Sequence, residues 1–236
     1  MSTLILLRHG QSLWNLAHRF TGWVDVDLTE AGEAEARRAG EALVREGLQL
    51  DIVFTSVLTR AIRTALIAQS ASDQLWVPMV KDWRLNERHY GGLTGLDHAS
   101  VAKAYGDQQV KIWRRSYDVP PPPLAPGGDF DFAKDRRYRG VSLPVAESLK
   151  TTLERVLPYW TSKIEPCLKA EQTVLVAAHG NSLRAIAKHL FRLSDADIPA
   201  LEIPTGNPLL VKISAEGTLE EARYLDQGSA ARLPPI

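Results

Sequence analysis

Apolar residues along this chain follow two rhythms. Thr3–Leu7 is a continuous apolar run stopped by Arg8, and Thr173–Ala178 is another. Unbroken runs of this length predict strands buried on both faces, as in a parallel sheet. Asp51–Thr55, Trp76–Val80 and Leu209–Ile213 predict three further short strands. Between them the spacing changes to threes and fours. Glu30–Glu46 predicts a helix in which Ala36, Ala39 and Leu43 share a face. Thr29 can cap its start, Glu30 suits the first turn, and Gly47 can end it. Thr59–Gln69, Val101–Tyr117 and Asn181–Phe191 also predict helices. Glu147–Ile164 carries an apolar stripe at Leu149, Leu153, Val156, Leu157, Trp160 and Ile164, with Pro158 expected to kink it.

The pattern breaks at Pro120–Pro123, a proline run that suits polyproline II. It opens a Gly-, Asp- and Arg-rich stretch to about Gly140 without apolar period, and a loop this long is usually functional or mobile. The residues after Asp226 read as a short tail. No internal repeat and no linker between two cores is visible. Alternating strands and helices predict an α/β fold: a single domain over 1–226, with a mostly parallel sheet flanked by helices on both faces, and a tail over 227–236.

Composition narrows the function. The 236 residues suffice for a substantial core without staples. Lys and Arg total 28 and so do Asp and Glu, giving a formal charge of zero. That balance argues against a broad nucleic-acid surface but allows a small basic pocket. Cys167 is the one cysteine, so no intrachain disulfide forms, and its apolar surroundings suit a packed thiol. The run Leu4–Leu7 is too short for a signal-peptide core, and no basic residue precedes it. No apolar stretch approaches the ~20 residues that span a bilayer. A cytoplasmic protein with no membrane or nucleic-acid partner is expected.

The chemical signal is a repeated ending. The first strand runs into Arg8-His9-Gly10, and the strand Thr173–Ala178 into His179-Gly180-Asn181. Open α/β sheets bind ligands outside the carboxyl ends of their strands, and helix N-termini there favour anions. Each glycine would let backbone approach a ligand. Two imidazoles with Arg8 at one sheet edge suggest a phosphate pocket. Ordinary histidines in turns and a metal site remain alternatives. Against a metal stand the lack of a His-x-x-x-His pair or cysteine cluster, and the neighbouring arginines. Arg60 can donate to phosphate oxygens or be a surface cation. Glu87 is either a solvated carboxylate or a general acid/base. Arg114 and Arg115, before the proline run, are either a solvated face or a grip on an anion.

These residues sit in longer matching segments. Arg8-His9-Gly10-Gln11-Ser12-Leu13-Trp14-Asn15, Phe20-Thr21-Gly22-Trp23, Thr59-Arg60-Ala61-Ile62, Leu85-Asn86-Glu87-Arg88-His89-Tyr90-Gly91, Trp113-Arg114-Arg115 and Ala178-His179-Gly180-Asn181-Ser182-Leu183-Arg184 resemble the histidine phosphatase superfamily. Closer still, they resemble its cofactor-dependent phosphoglycerate mutases. The resemblance extends over residues 3–226. It implies a phosphoglycerate mutase-like domain that interconverts 3- and 2-phosphoglycerate in glycolysis and gluconeogenesis through a phosphohistidine. The primer would be 2,3-bisphosphoglycerate, with no metal. By the same resemblance His9 is the nucleophile, Glu87 the proton donor and acceptor, and His179 a transition-state stabiliser. Arg8, Asn15, Arg60, Gly180 and Asn181 would hold the transferring phosphoryl group. Thr21, Gly22, Arg88, His89, Tyr90, Arg114 and Arg115 would hold the rest of the substrate, and Gly10, Gln11 and Ser12 join the binding set. Family members vary in assembly, so a homo-oligomer is possible. A phosphohistidine phosphatase and a non-catalytic phosphate-binding module are the competing readings.

Two departures stand out. His98 occupies the position, eight residues after Tyr90, where the family usually has a substrate-contacting lysine. With an ordinary pKa near 6.5, it would bind substrate only when protonated, and KM would rise with pH. The tail after Asp226 is also shorter than is common in the family. A shorter cover would admit more water to the site and raise phosphatase side activity.

Overall fold

A computed structural model describes residues 1–214 and 216–234. Six strands form one sheet: β1 (Ser2–Arg8), β2 (Ile52–Thr55), β3 (Met79–Lys81), β4 (Thr173–Ala178), β5 (Leu209–Ile213) and β6 (Leu219–Tyr224). Their order is β3-β2-β4-β1-β5-β6. The first four are mutually parallel, while β5 and β6 add antiparallel at the far edge. The helices are α1 (Leu13–Leu16), α2 (Glu30–Arg45), α3 (Thr59–Ala71), α4 (His98–Tyr105), α5 (Asp107–Arg115), α6 (Leu149–Tyr159), α7 (Glu165–Lys169) and α8 (Gly180–Leu190).

The unbroken apolar runs are buried from both sides. Ile5, Leu7, Val53, Leu175 and Ala177 face α2 and α3. Leu4, Leu6, Phe54, Val174 and Val176 face α6 and α8. One strand therefore feeds two cores through the alternation of its side chains. A third cluster of Phe20, Leu93, Val101, Val110 and Trp113 packs α4 and α5 over the carboxyl edge of the sheet. The mostly parallel α/β fold with helices on both faces is what the sequence predicts.

Several elements differ from the expectation. The predicted helix Val101–Tyr117 is two helices, because Gly106 adopts φ +83 between α4 and α5, a conformation that stops a helix. The strand expected over Trp76–Val80 is β3 at Met79–Lys81, and Trp76 is exposed instead. β6 was not expected: as an edge strand of Leu-Glu-Glu-Ala-Arg-Tyr it is half exposed and lacks an apolar run. The helix predicted to kink at Pro158 keeps its α form to Tyr159, then loosens into a π turn over Trp160–Ile164. The 118–140 stretch contains two short 3-10 turns, Phe132–Lys134 and Arg136–Tyr138. In the tail, Asp226 caps a turn at Gln227–Ser229, and Leu233 packs against the core. Pro235 and Ile236 of the predicted tail lie outside the described residues. Among the described residues no helix is long and apolar enough to cross a membrane.

Candidate active site

The register of the parallel strands assembles the site. Arg8 pairs with Ala178, and Thr55 with Ala177, so β1, β2 and β4 end at one level. The His9 amide donates to the Ala178 carbonyl at 2.9 Å, which places His9 beside His179. Their rings meet edge to face with centroids 5.0 Å apart. Both are buried.

His9 Nδ1 lies 2.7 Å from the Gly10 carbonyl oxygen. A carbonyl only accepts, so Nδ1 carries the proton and Nε2 keeps its lone pair. Burial, then the charges of Arg60 and Arg8, hold the His9 pKa well below the usual histidine range. His9 is thus a neutral imidazole with a free nitrogen. His179 is held well below that range for related reasons: burial first, then Arg60 and His9. Its Nε2 lies 2.8 Å from the Ser56 hydroxyl.

Guanidinium groups surround the two rings. Arg60 opens α3 and is buried, its two terminal nitrogens donating to the Val24 and Gly22 carbonyls at 2.8 Å each. Burial pushes its pKa down to about 10, so it stays charged at neutral pH. Arg8 donates through NH1 to the Ile203 carbonyl at 2.9 Å. Arg8 Nε, Arg88 Nε and NH1, and Arg184 Nε are buried and have no hydrogen-bond partner among the described residues. Buried donors of this kind are costly unless an acceptor meets them, so those of Arg8 and Arg184, which line the cavity, suit phosphate oxygens.

Glu87 faces this array. Its Oε1 accepts from the Arg88 amide at 2.7 Å and from the Asn181 amide, in the first turn of α8, at 3.1 Å. Its Oε2 is turned toward Gly180 and makes no hydrogen bond among the described residues. The carboxylate is fixed by one oxygen and offers the other. The backbone behind it is held too. The Glu87 carbonyl accepts from Trp23 Nε1 at 2.6 Å and from Arg155 NH2 at 3.3 Å.

One cavity of about 190 Å³ gathers most of the predicted residues. Arg8, His9, Asn15, Arg60, Glu87 and Gly180 line it. So do Thr21, Gly22, Tyr90, His98, Arg114, Arg115 and Asn181. Six predicted residues are not on its wall, His179 among them: fully buried, it lies behind the wall against His9 and Ser56. Gly10 packs against α2, where an added Cβ would lie 2.1 Å from the Gly32 carbonyl oxygen. Its need is close backbone packing, not ligand approach. Gln11 donates its amide to Glu35 and accepts from the Thr29 hydroxyl, while Ser12 is the buried cap of α1. His89 lies under the site: its Nδ1 accepts from the Gly91 amide at 3.0 Å and its ring meets Trp23 and Phe132. Arg88 stands behind Tyr90, donating to its hydroxyl at 3.3 Å and to the Arg114 carbonyl at 3.1 Å.

His98 lines the cavity with its ring against Phe20, centroids 4.4 Å apart. Burial, then Arg114 and His18, push its pKa down to about 4. It is therefore neutral near pH 7, and the expectation of a charge change near neutrality is not met. No described residue of the tail reaches the cavity wall.

The sequence reading missed several participants. Arg184, one helical turn beyond Gly180, lines the cavity and donates to Asn181 Oδ1 at 3.0 Å; its helical spacing was the available signal. Arg155 forms a buried ion pair with Glu147 at 2.7 Å and also donates to the Arg84 carbonyl at 2.7 Å. Ser56, Arg19 and Glu202 carried no local signal.

Comparison with known proteins follows the same lines. Residues 4–223 match the model of the histidine phosphatase superfamily (branch 1). A protein of Caulobacter vibrioides named 2,3-bisphosphoglycerate-dependent phosphoglycerate mutase is 63% identical over 236 residues, covering 100% of both chains. A protein of the same name from Zymomonas mobilis is 57% identical over 227 residues, covering 96% of this chain and 100% of that one. Among solved structures, a mycobacterial glucosyl-3-phosphoglycerate phosphatase complexed with VO3 superposes with a TM-score of 0.71 at 25% identity, covering 95% of this chain and 97% of that one.

Proposed function

We propose that this chain, which belongs to the histidine phosphatase superfamily, interconverts 3-phosphoglycerate and 2-phosphoglycerate through a phosphohistidine at His9. The observation that carries the reading is the pairing of His9 Nε2, free and neutral, with Glu87 Oε2, in a cavity lined by the guanidiniums of Arg8, Arg60, Arg114, Arg115 and Arg184. Its full-length likeness to relatives named as mutases supports the substrate.

The chemistry needs two half-reactions. His9 Nε2 attacks phosphorus and the ester P–O bond breaks. The departing oxygen takes a proton from Glu87 and leaves as a hydroxyl. In the reverse half, Glu87 removes the proton from an acceptor hydroxyl. That oxygen attacks phosphorus, the N–P bond breaks, and His9 returns to the neutral imidazole. Throughout, Arg8, Arg60, the start of α8 and His179 carry the charge of the equatorial oxygens. Neutral His9 makes attack possible, and the arginines that depress its pKa also bind the group it attacks.

Moving a phosphoryl group between two hydroxyls of one substrate requires that the substrate be held at both ends. Thr21, Gly22, Tyr90, Asn181, Arg114 and Arg115 supply the second anion grip in the same cavity. The unpartnered Nε atoms of Arg8 and Arg184, both on the cavity wall, together with Arg114 and Arg115 suit a ligand with two anionic ends, so 2,3-bisphosphoglycerate fits these residues. When bound, it supplies the phosphoryl group that first charges His9. The mutase-like domain spans 1–226 with 227–236 as its tail. Glycolytic substrates and a lone cysteine suit a cytoplasmic setting.

A coupled enolase assay on 3-phosphoglycerate, with and without 2,3-bisphosphoglycerate, tests the reading. Wild type should form 2-phosphoglycerate, the primer should stimulate it, and His9→Ala should abolish it. Release of glycerate and phosphate without 2-phosphoglycerate would make the chain a phosphatase. Failure to trap an acid-labile phosphate on His9 would leave only a binding module.

A further inference from the structure

Two carboxylates line this otherwise cationic cavity. Glu87 has a place in the chemistry. Glu202 has none, yet it meets Arg115 at the cavity mouth in a direct ion pair. Its side chain is 59% exposed, but its backbone is fixed. The Glu202 carbonyl accepts from the Tyr224 hydroxyl at 2.9 Å, and the flanking Leu201 and Ile203 are buried. The Ile203 carbonyl is the acceptor that holds Arg8. One strap thus fixes a phosphoryl-binding arginine and presents a carboxylate to a substrate-binding arginine.

We propose that Glu202 is a built-in competitor for the substrate at Arg115, and that its charge weakens doubly phosphorylated ligands more than singly phosphorylated ones. The proposal rests on the phosphoglycerate reading of this cavity. An ion pair as exposed as this one is worth at most about 1 kcal/mol, so an incoming anion can displace it. Once displaced, the carboxylate still faces the ligand. Each phosphate adds about −1.5 to −2 charges near neutral pH, and repulsion grows with ligand charge. Glu202 therefore acts most on 2,3-bisphosphoglycerate, which an all-cationic cavity would retain. The carboxylate lets the site release that ligand and accept a monophosphate.

Calorimetric titration tests this on the full chain carrying His9→Ala, which can bind ligand without transfer, with and without Glu202→Gln. The added substitution is expected to tighten 2,3-bisphosphoglycerate about fivefold and 3-phosphoglycerate about twofold. Glu202→Asp should stay near the parent, and with Arg115→Gln also present the effect of Glu202→Gln should shrink to the direct repulsion, which remains larger for 2,3-bisphosphoglycerate. Equal tightening of both ligands overturns the selectivity, and unchanged or weaker binding overturns the competition. If the His9→Ala parent binds neither ligand, the phosphoglycerate reading falls with the proposal. If it binds both and Glu202→Gln changes nothing, only the proposal falls.

Discussion

The imidazole of His9 meets that of His179 edge-on, 5.0 Å between centroids, and both rings are buried beside Arg60. A second positive charge in that space is strongly disfavoured, so both rings stay neutral far into acid. The nucleophile is then ready at any pH near neutrality. We expect the His9 ring resonances to keep neutral-form shifts from pH 8 to well below 6.5 in an NMR titration. Protonation of His9 near 6.5 would contradict the buried, arginine-flanked environment.

Glu87 is aimed from behind. Arg155 binds Glu147 through two nitrogens, at 2.7 and 2.9 Å, and also donates to the carbonyls of Trp83, Arg84, Asn86 and Glu87. Removing one partner of a buried pair typically costs about 3–5 kcal/mol. Arg155→Met should lower the melting temperature and also lower kcat, because the Glu87 backbone loses its holder. Arg155→Met with Glu147→Gln should recover part of the stability and little of the kcat. Calorimetric melting beside steady-state kinetics checks both, and full recovery of kcat would show that Arg155 does not position Glu87.

Much of this arrangement was visible in the sequence because it depends on local rules. Continuous apolar runs such as Leu4–Leu7 are buried on both faces, and strand ends in such sheets carry the ligands. That logic locates His9 and His179 without any contact map. Arg155 and Glu202 stayed hidden because their partners are remote. Arg155 bonds the Arg84 carbonyl across 71 residues, and Glu202 meets Arg115 across 87. β6 stayed hidden because an edge strand with one side toward solvent need not be apolar. His98 shows a third limit. Its identity is local, but its pKa is set by burial and then by Arg114 and His18, all of which the fold brings about.

The glycine after His9 is needed for packing. Its Cβ position falls 2.1 Å from the Gly32 carbonyl oxygen, and the Cβ position of Gly32 falls 2.1 Å from the Gln11 carbonyl oxygen. The catalytic loop and the first turn of α2 cross backbone to backbone. Alanine within α2 would ordinarily gain about 1 kcal/mol in helix propensity. Here overpacking of about 1–3 kcal/mol should outweigh it. Gly10→Ala and Gly32→Ala are both expected to lower the melting temperature, whereas Gly180→Ala, with nearest contacts at 3.5 Å, should not. Chemical denaturation of the three variants decides this.

Acid should destabilise the fold before the carboxylates titrate. His89 is buried against Trp23 and Phe132, and burial pushes its pKa down to about 4. The unfolded chain protonates the same ring near 6.5. Above 6.5 both states are neutral at this site and it contributes no pH dependence. As pH falls from 6.5 toward 4, only the unfolded state gains the proton, so stability is lost across that window and levels off below it. The loss from His89 is about 3 kcal/mol by linkage. His9 and His179 add to it with the same sign. Unfolding free energies measured by denaturant between pH 7.5 and 4.5 should therefore fall steadily from about 6.5. His89→Gln should lower stability at pH 7.5 but flatten the slope between 6.5 and 4.5. An unchanged slope in that variant would mean that His89 is protonated in the folded protein.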